Sequence, residues 1–188
     1  MSKLTYNTKL IFQSENDNQK IIQMLESQRF AWNECSKVKF IHVAKNSIVE
    51  LHNRFYANFR KDQGQIPSQV IISAEQSVLS TYRSIKSNKQ KLDKAPEKKK
   101  LSIRLDKRTY SYKNGVFSII SLEKRVKCQP YSYPKLQELF AKYRFCDPLL
   151  FVKNGEVWIA LTFDIPEVLP KKTLALGIDL GCRVNAAT

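Results

Sequence analysis

Residues 174–181, Leu174-Ala175-Leu176-Gly177-Ile178-Asp179-Leu180-Gly181, form a short apolar run that carries one carboxylate. A run of this length reads as a buried strand, and it delivers Asp179 to the strand's tip. A lone Asp so placed suits metal-assisted phosphodiester cleavage. There, carboxylates from separate segments hold a pair of Mg²⁺ ions that stabilise the attacking and leaving oxygens. Asp179 would supply one ligand of such a site. The chain runs seven residues past Gly181, so the further strands and carboxylates that the chemistry needs are expected to be missing. Arg183-Val184-Asn185-Ala186-Ala187-Thr188 would open the next strand of a hairpin.

Two other readings of Asp179 stand beside this one. Asp-Leu-Gly is a short motif, and a surface Asp in a turn before Gly181 also satisfies it. A Gly-Ile-Asp-Leu-Gly strand is used too by the actin, heat-shock and sugar-kinase ATPases, where small hydroxylated residues follow and approach phosphate. Here Cys182-Arg183-Val184 follow instead, and a large basic region precedes the motif.

That basic region carries the second kind of chemistry. The chain has 32 Lys and Arg against 17 Asp and Glu, a net charge of +15 in 188 residues. So basic a protein attracts a polyanion, with a strong dependence on salt. Residues 86–100 hold seven lysines against two acids and almost nothing apolar. They read as a mobile linker, as a phosphate-contacting arm, or as both. Lys98, Lys99, Lys100, Arg104, Lys107 and Arg108 are the expected contacts to a nucleic-acid backbone. Tyr110 and Tyr112 alternate with basic residues next to the arm, which suits stacking on bases; ordinary packing of tyrosines in a sheet accounts for the pattern equally well.

Other chemistry finds little support. Cys35, Cys128, Cys146 and Cys182 are far apart, without zinc or disulfide spacing, and read as small core residues. His42 and His52 read as satisfied helix residues, and Trp32 and Trp158 as core. No Ser/His/Asp set, P-loop or Gly-rich cradle is visible among five glycines, so no small-molecule substrate is expected. No stretch approaches the roughly 18 apolar residues of a membrane helix, and the first residues lack a signal-peptide core, so no membrane is expected. The expected location is cytoplasmic, in association with the nucleoid.

The elements that would position these residues follow from period and punctuation. Residues 5–12 read as a strand. Ser14 with Asp17 three residues on reads as a helix start. Ile21, Leu25, Trp32, Cys35 and Val38 then fall near helical spacing. Ile48, Leu51, Phe55 and Phe59 make a second stripe. After Gly64, Pro67-Ser68 opens a third, with Val70, Ala74, Val78 and Ile85 on one face. From residue 102 the period is two. Asn114-Gly115 and Asn154-Gly155 predict two hairpins, joining 109–113 to 116–122 and 149–153 to 156–165. Val157, Ile159, Leu161, Phe163 and Ile165 share one face of the last strand. The expectation is an α+β fold. A small antiparallel barrel takes in the strand at 5–12, and the helices are inserted after that first strand.

With those residues in view, the chain resembles the N-terminal half of the TnpB (OrfB-type) transposon-encoded RNA-guided endonucleases, relatives of the compact type V CRISPR effectors. The resemblance runs in order along the chain. It passes through Lys9-Leu10-Ile11-Phe12, Arg29-Phe30-Ala31-Trp32-Asn33, Pro67-Ser68-Gln69 and Lys153-Asn154-Gly155-Glu156-Val157-Trp158. It ends at Leu176-Gly177-Ile178-Asp179-Leu180-Gly181, which resembles the first RuvC motif. The resemblance implies a wedge-type β-barrel with an inserted helical recognition lobe, followed by the first strand of an incomplete RNase H-like (RuvC) domain. The implied segments are 1–13 for the first barrel strand, 14–87 for the lobe, 88–100 for a basic linker, 101–170 for the rest of the barrel and 171–188 for the start of a truncated RuvC domain. It implies a guide RNA from the transposon end and a target DNA as partners, with sequence selected by base pairing. It makes Asp179 a catalytic Mg²⁺ ligand once a complete nuclease domain is present. The family's catalytic Glu, second Asp and four-cysteine zinc module are not in this sequence, so cleavage by this chain alone is not expected. A non-catalytic RNA- or DNA-binding remnant, or a repressor acting by occupancy, is the alternative. A transcription regulator of unrelated fold is a third.

Overall fold

The computed structural model describes residues 2–42 and 47–166. The first strand, β1, is Ser2–Phe12. Three helices follow: α1 Glu15–His42, α2 Ile48–Asp62 and α3 Ser68–Ser87. The chain then returns to strands: β2 Ser102–Arg104, β3 Tyr110–Lys113, β4 Val116–Ile119 and β5 Val126–Pro130. A short helix, α4, spans Pro134–Lys142 and precedes β6 Leu149–Lys153 and β7 Glu156–Ile165.

The helix starts are chemically marked. The Ser14 hydroxyl accepts from the Asp17 amide at 3.2 Å, which caps α1. The Ser47 hydroxyl does the same for Glu50 at 3.3 Å at the head of α2. Each satisfies a first-turn N–H that has no partner inside its helix. Pro67 stands at the N-cap of α3, and Pro134 opens α4. A first-turn proline forfeits a donor that the helix would not have used.

All seven strands form one antiparallel, curled half-barrel in the order β2-β6-β7-β1-β5-β4-β3. The first strand is central. It pairs with β7 from Ser2↔Ile165 to Lys9↔Trp158, and with β5 from Leu10↔Pro130 to Phe12↔Cys128. The helices are thus an insertion between two strands of one sheet, as the sequence suggested. The sheet is not closed by a ladder: β2 and β3 do not pair. The residues between them form a turn instead. Asp106 Oδ1 accepts from the amides of Arg108 and Thr109 at 2.9 and 3.0 Å. A side chain that binds the backbone ahead of it holds a turn and stops a strand.

Both two-residue hairpins occur where Asn-Gly predicted them. Asn114 and Gly115 have φ of 51° and 79°, and Asn154 and Gly155 have 52° and 78°. Two consecutive left-handed residues match the strand twist, which is why Asn-Gly is favoured there. Alternation along β7 buries Val157, Ile159, Leu161 and Phe163 fully. They meet Leu10 of β1, Phe117 and Ile119 of β4, and Leu136 and Leu139 of α4 in one continuous core. That core extends into the helices. Ile21, Met24 and Leu25 of α1 are buried, as are Leu51 and Phe55 of α2 and Val70, Ile71, Ala74 and Val78 of α3. Helix α1 packs on α2 and α3 and also touches β1, β2, β5 and β7, so it bridges lobe and sheet.

Candidate nucleic-acid interface

The seam between the helices and the sheet is filled by the basic segment. Residues 96–99 do not hang free as a solvated arm; α1 holds them by their backbone. The Ser36 hydroxyl donates to the Pro96 carbonyl at 2.9 Å. Asn33 Oδ1 accepts from the Lys98 amide at 2.8 Å, while its Nδ2 donates to the Lys98 carbonyl at 3.4 Å. Arg29 donates to the Lys99 carbonyl at 3.4 Å. Arg29, Trp32, Asn33 and Ser36 recur at helical spacing, and Trp32 Nε1 donates to Ser77 of α3 at 3.1 Å. One face of α1 thus clasps both the basic segment and the neighbouring helix.

This clasp divides the expected contact residues. Lys98 turns inward: its ammonium donates to Gln28 Oε1 at 2.7 Å and to the Ser102 carbonyl. Burial pushes it from its ordinary 10.5 down to about 8. Lys98 therefore fastens β2 to α1 rather than facing solvent. Lys99, Lys100, Arg104, Lys107 and Arg108 are exposed. Arg104 donates to the Asp147 carbonyl at 3.1 Å. Arg108 lies 3.9 Å from Asp106 with most of its side chain in solvent.

Two recesses flank these cations. The first is a polar cleft of about 360 Å³ between α1, α3 and β2. Gln28, Ser73, Gln76, Ser77 and Ser80 line one wall, and Lys98, Arg104 and Asp106 the other. Gln69, one residue into α3, donates to Asp106 Oδ2 at 2.8 Å and ties the helix start to the β2–β3 turn. The second recess is an open aromatic cleft lined by Lys107, Tyr110, Ser111, Tyr112, Phe140, Tyr143, Arg144 and Phe145.

Tyr110 and Tyr112 both reach this aromatic cleft, and both are half-buried. The two rings are not equivalent. Tyr112 stacks on Phe140 with ring centroids 5.0 Å apart and leans on Phe117 at 4.5 Å. Tyr110 lies farther from its neighbours, 6.1 Å from Phe117 and 6.3 Å from Phe145. Burial raises both phenols above their ordinary value.

The sequence reading missed α4 and the aromatic run after it. Pro134, Leu136, Leu139 and Phe140 carry the signal of a short helix, a proline at its head and apolar residues three and four apart. It is easily overlooked between two strand-rich stretches. Trp32 is core as expected. His52 is satisfied by Glu75 at 2.8 Å. Trp158 sits half-buried with Lys153 over its ring at 5.1 Å.

Asp179 lies outside the described residues. Among the described residues, no three His, Cys, Asp or Glu side chains come together to hold a metal ion, and no helix is long and apolar enough to cross a membrane. No family model and no curated protein matches this chain.

Proposed function

We propose that this chain is the nucleic-acid-binding N-terminal part of a TnpB-like RNA-guided DNA endonuclease. In this reading the half-barrel is the wedge, and the helices inserted after β1 are the recognition lobe. Residues 171–188, outside the described residues, open the RuvC domain. Guide RNA and target DNA are the partners. Mg²⁺ would belong to Asp179 together with the carboxylates of a complete nuclease domain, where it would activate the attacking water and stabilise the leaving oxygen.

One observation carries the binding part of this reading. The segment from Lys98 to Arg108 crosses the seam between lobe and sheet with its backbone held by α1 at Lys98 and Lys99, by β6 at Ser102–Arg104 and by the Asp106 side chain at Arg108 and Thr109. Lys99, Lys100, Arg104, Lys107 and Arg108 project from it. A clamped backbone fixes the positions of cations that would otherwise lose entropy on meeting a phosphate chain.

The test is a titration of the protein with transposon-end RNA and with target duplex at several salt concentrations. Replacing Lys99, Lys100, Arg104, Lys107 and Arg108 by Gln together should weaken binding. It should also flatten the log–log salt slope by about 0.7 for each single-strand phosphate that is no longer neutralised. An unchanged slope would remove the seam from the interface. Tight duplex binding that needs no RNA would favour a transcription regulator instead.

A further inference from the structure

The aromatic cleft is assembled from segments distant in sequence. Lys107, Tyr110, Ser111 and Tyr112 come from β3 and the turn before it. Phe140, Tyr143, Arg144 and Phe145 come from α4 and the residues after it. A core needs no such opening. Phe117 and Phe163 lie fully buried behind it, and the rings of Tyr110, Tyr143 and Phe145 are left half-covered in front. Lys107 and Arg144 stand exposed at its edge, and among the described residues neither has a carboxylate partner or a side-chain hydrogen bond.

We propose that this cleft receives one unpaired base of a single strand. The base enters between the rings of Tyr110, Tyr143 and Phe145 and stacks on an aromatic face there, and its flanking phosphates reach Lys107 and Arg144. The inference rests on the nucleic-acid-binding reading and adds the place where a base leaves its neighbours. Three features select this ligand. Aromatic faces favour a flat π-system over an aliphatic one. Two unpaired cations at the edge, on a chain of net charge +15, favour an anion and repel a cation. A paired base hides both faces in its stack, so a duplex offers the cleft nothing to hold. Tyr112 has a different part: with its ring committed to Phe140 and Phe117, it forms the wall that fixes the cleft's depth.

The test uses the full chain and four end-labelled oligonucleotides of one length at one low salt concentration. They are a single-stranded RNA, a single-stranded DNA, the same DNA strand with abasic sites throughout, and a duplex. Intact single strands should bind roughly 5- to 150-fold more tightly than the abasic strand, the range that stacking one base supports. Tyr143→Ser should bring the intact strands down to the abasic level and leave duplex binding unchanged. Because Tyr143 ends α4, a second variant is needed on side chains that the fold does not use. Lys107→Gln with Arg144→Gln should weaken intact and abasic strands alike and lower the salt slope. The ratio of RNA to DNA affinity tells which strand the cleft prefers. Equal affinity of the native chain for intact and abasic strands would overturn the cleft and leave the functional reading standing. So would a Tyr143→Ser chain that keeps the full preference. Binding of none of the four would overturn both.

Discussion

Replacing Lys98 by Met tests whether the basic segment is built into the fold. The substitution keeps the apolar stem and removes the ammonium that sits between Gln28 and the Ser102 carbonyl. Burial lowers that ammonium from 10.5 to about 8, so the folded state disfavours its charged form. Below pH 8 both states are protonated and the penalty is present in full. Between pH 8 and 10.5 the folded state releases its proton first and the unfolded state binds more, so stability rises with pH. At about 1.4 kcal/mol for each tenfold change in proton affinity, the full penalty is about 3 kcal/mol. Most of it is relieved by pH 10. The native chain should therefore gain about 2 to 3 kcal/mol relative to Lys98→Met between pH 7 and pH 10. Urea unfolding of both chains across that range measures the difference, and the titration of other groups cancels in it. A difference that stays flat with pH would mean that Lys98 is solvated, and the clamped seam would lose its central tie.

Other perturbations test the frame around the seam. Ser47→Ala removes the hydroxyl that caps α2 and should lower stability by about 1 kcal/mol in thermal or urea melts; no loss would mean that the cap is solvated. Gly155→Ala meets no atom within 4 Å, so any cost must come from its φ of 78°. That cost should be about 1 kcal/mol in the same melts, without a change in β6–β7 pairing by amide exchange. Glu75 is buried between α2 and α3, and burial raises its carboxyl above 4.5 despite the His52 hydrogen bond. The folded state therefore binds more protons just above pH 4.5, and stability should fall as pH rises from there; Glu75→Gln should abolish that slope in a pH series of melts. Phe117 is fully buried in the middle of the sheet core, and Phe117→Ala should cost about 3 to 5 kcal/mol by denaturant titration, more than any surface change here.

The parts of the fold legible in the sequence are those written in a local period. Alternation in β7, two Asn-Gly turns and three apolar helical stripes each fix an element without reference to anything distant. Pairing was less legible. That β1 would lie between β5 and β7 depends on which apolar faces meet across the whole chain, and a period of two says nothing about partners. The gap between β2 and β3 had a local cause, the Asp106 turn, but its effect is seen only beside its neighbours. The candidate interface shows the same division. Counting charge found the basic segment, yet Lys98 and Lys99 are identical as letters and differ only in that Asn33 holds the Lys98 backbone and Gln28 its ammonium. Tyr110 and Tyr112 were visible as a pair, whereas their partners Phe140, Tyr143 and Phe145 come from another segment and could not be joined to them by spacing.

The placement of β1 has a consequence for how the chain is made. β1 is made well before the strand it pairs with over most of its length, Ser2 lying against Ile165 of β7. At roughly 5 to 20 residues per second, β1 waits on the order of ten to thirty seconds for its partner. Helices α1 to α3 are local structures and complete their own packing within that interval. Until β5 is made, β1 is an unpaired strand with both edges open and one apolar face uncovered, tethered to a finished helical body. Such an edge invites another nascent chain. Slowing synthesis downstream of α3 should then lower the yield of folded protein, and the deficit should appear as strand-mediated aggregates rather than as proteolysed helices.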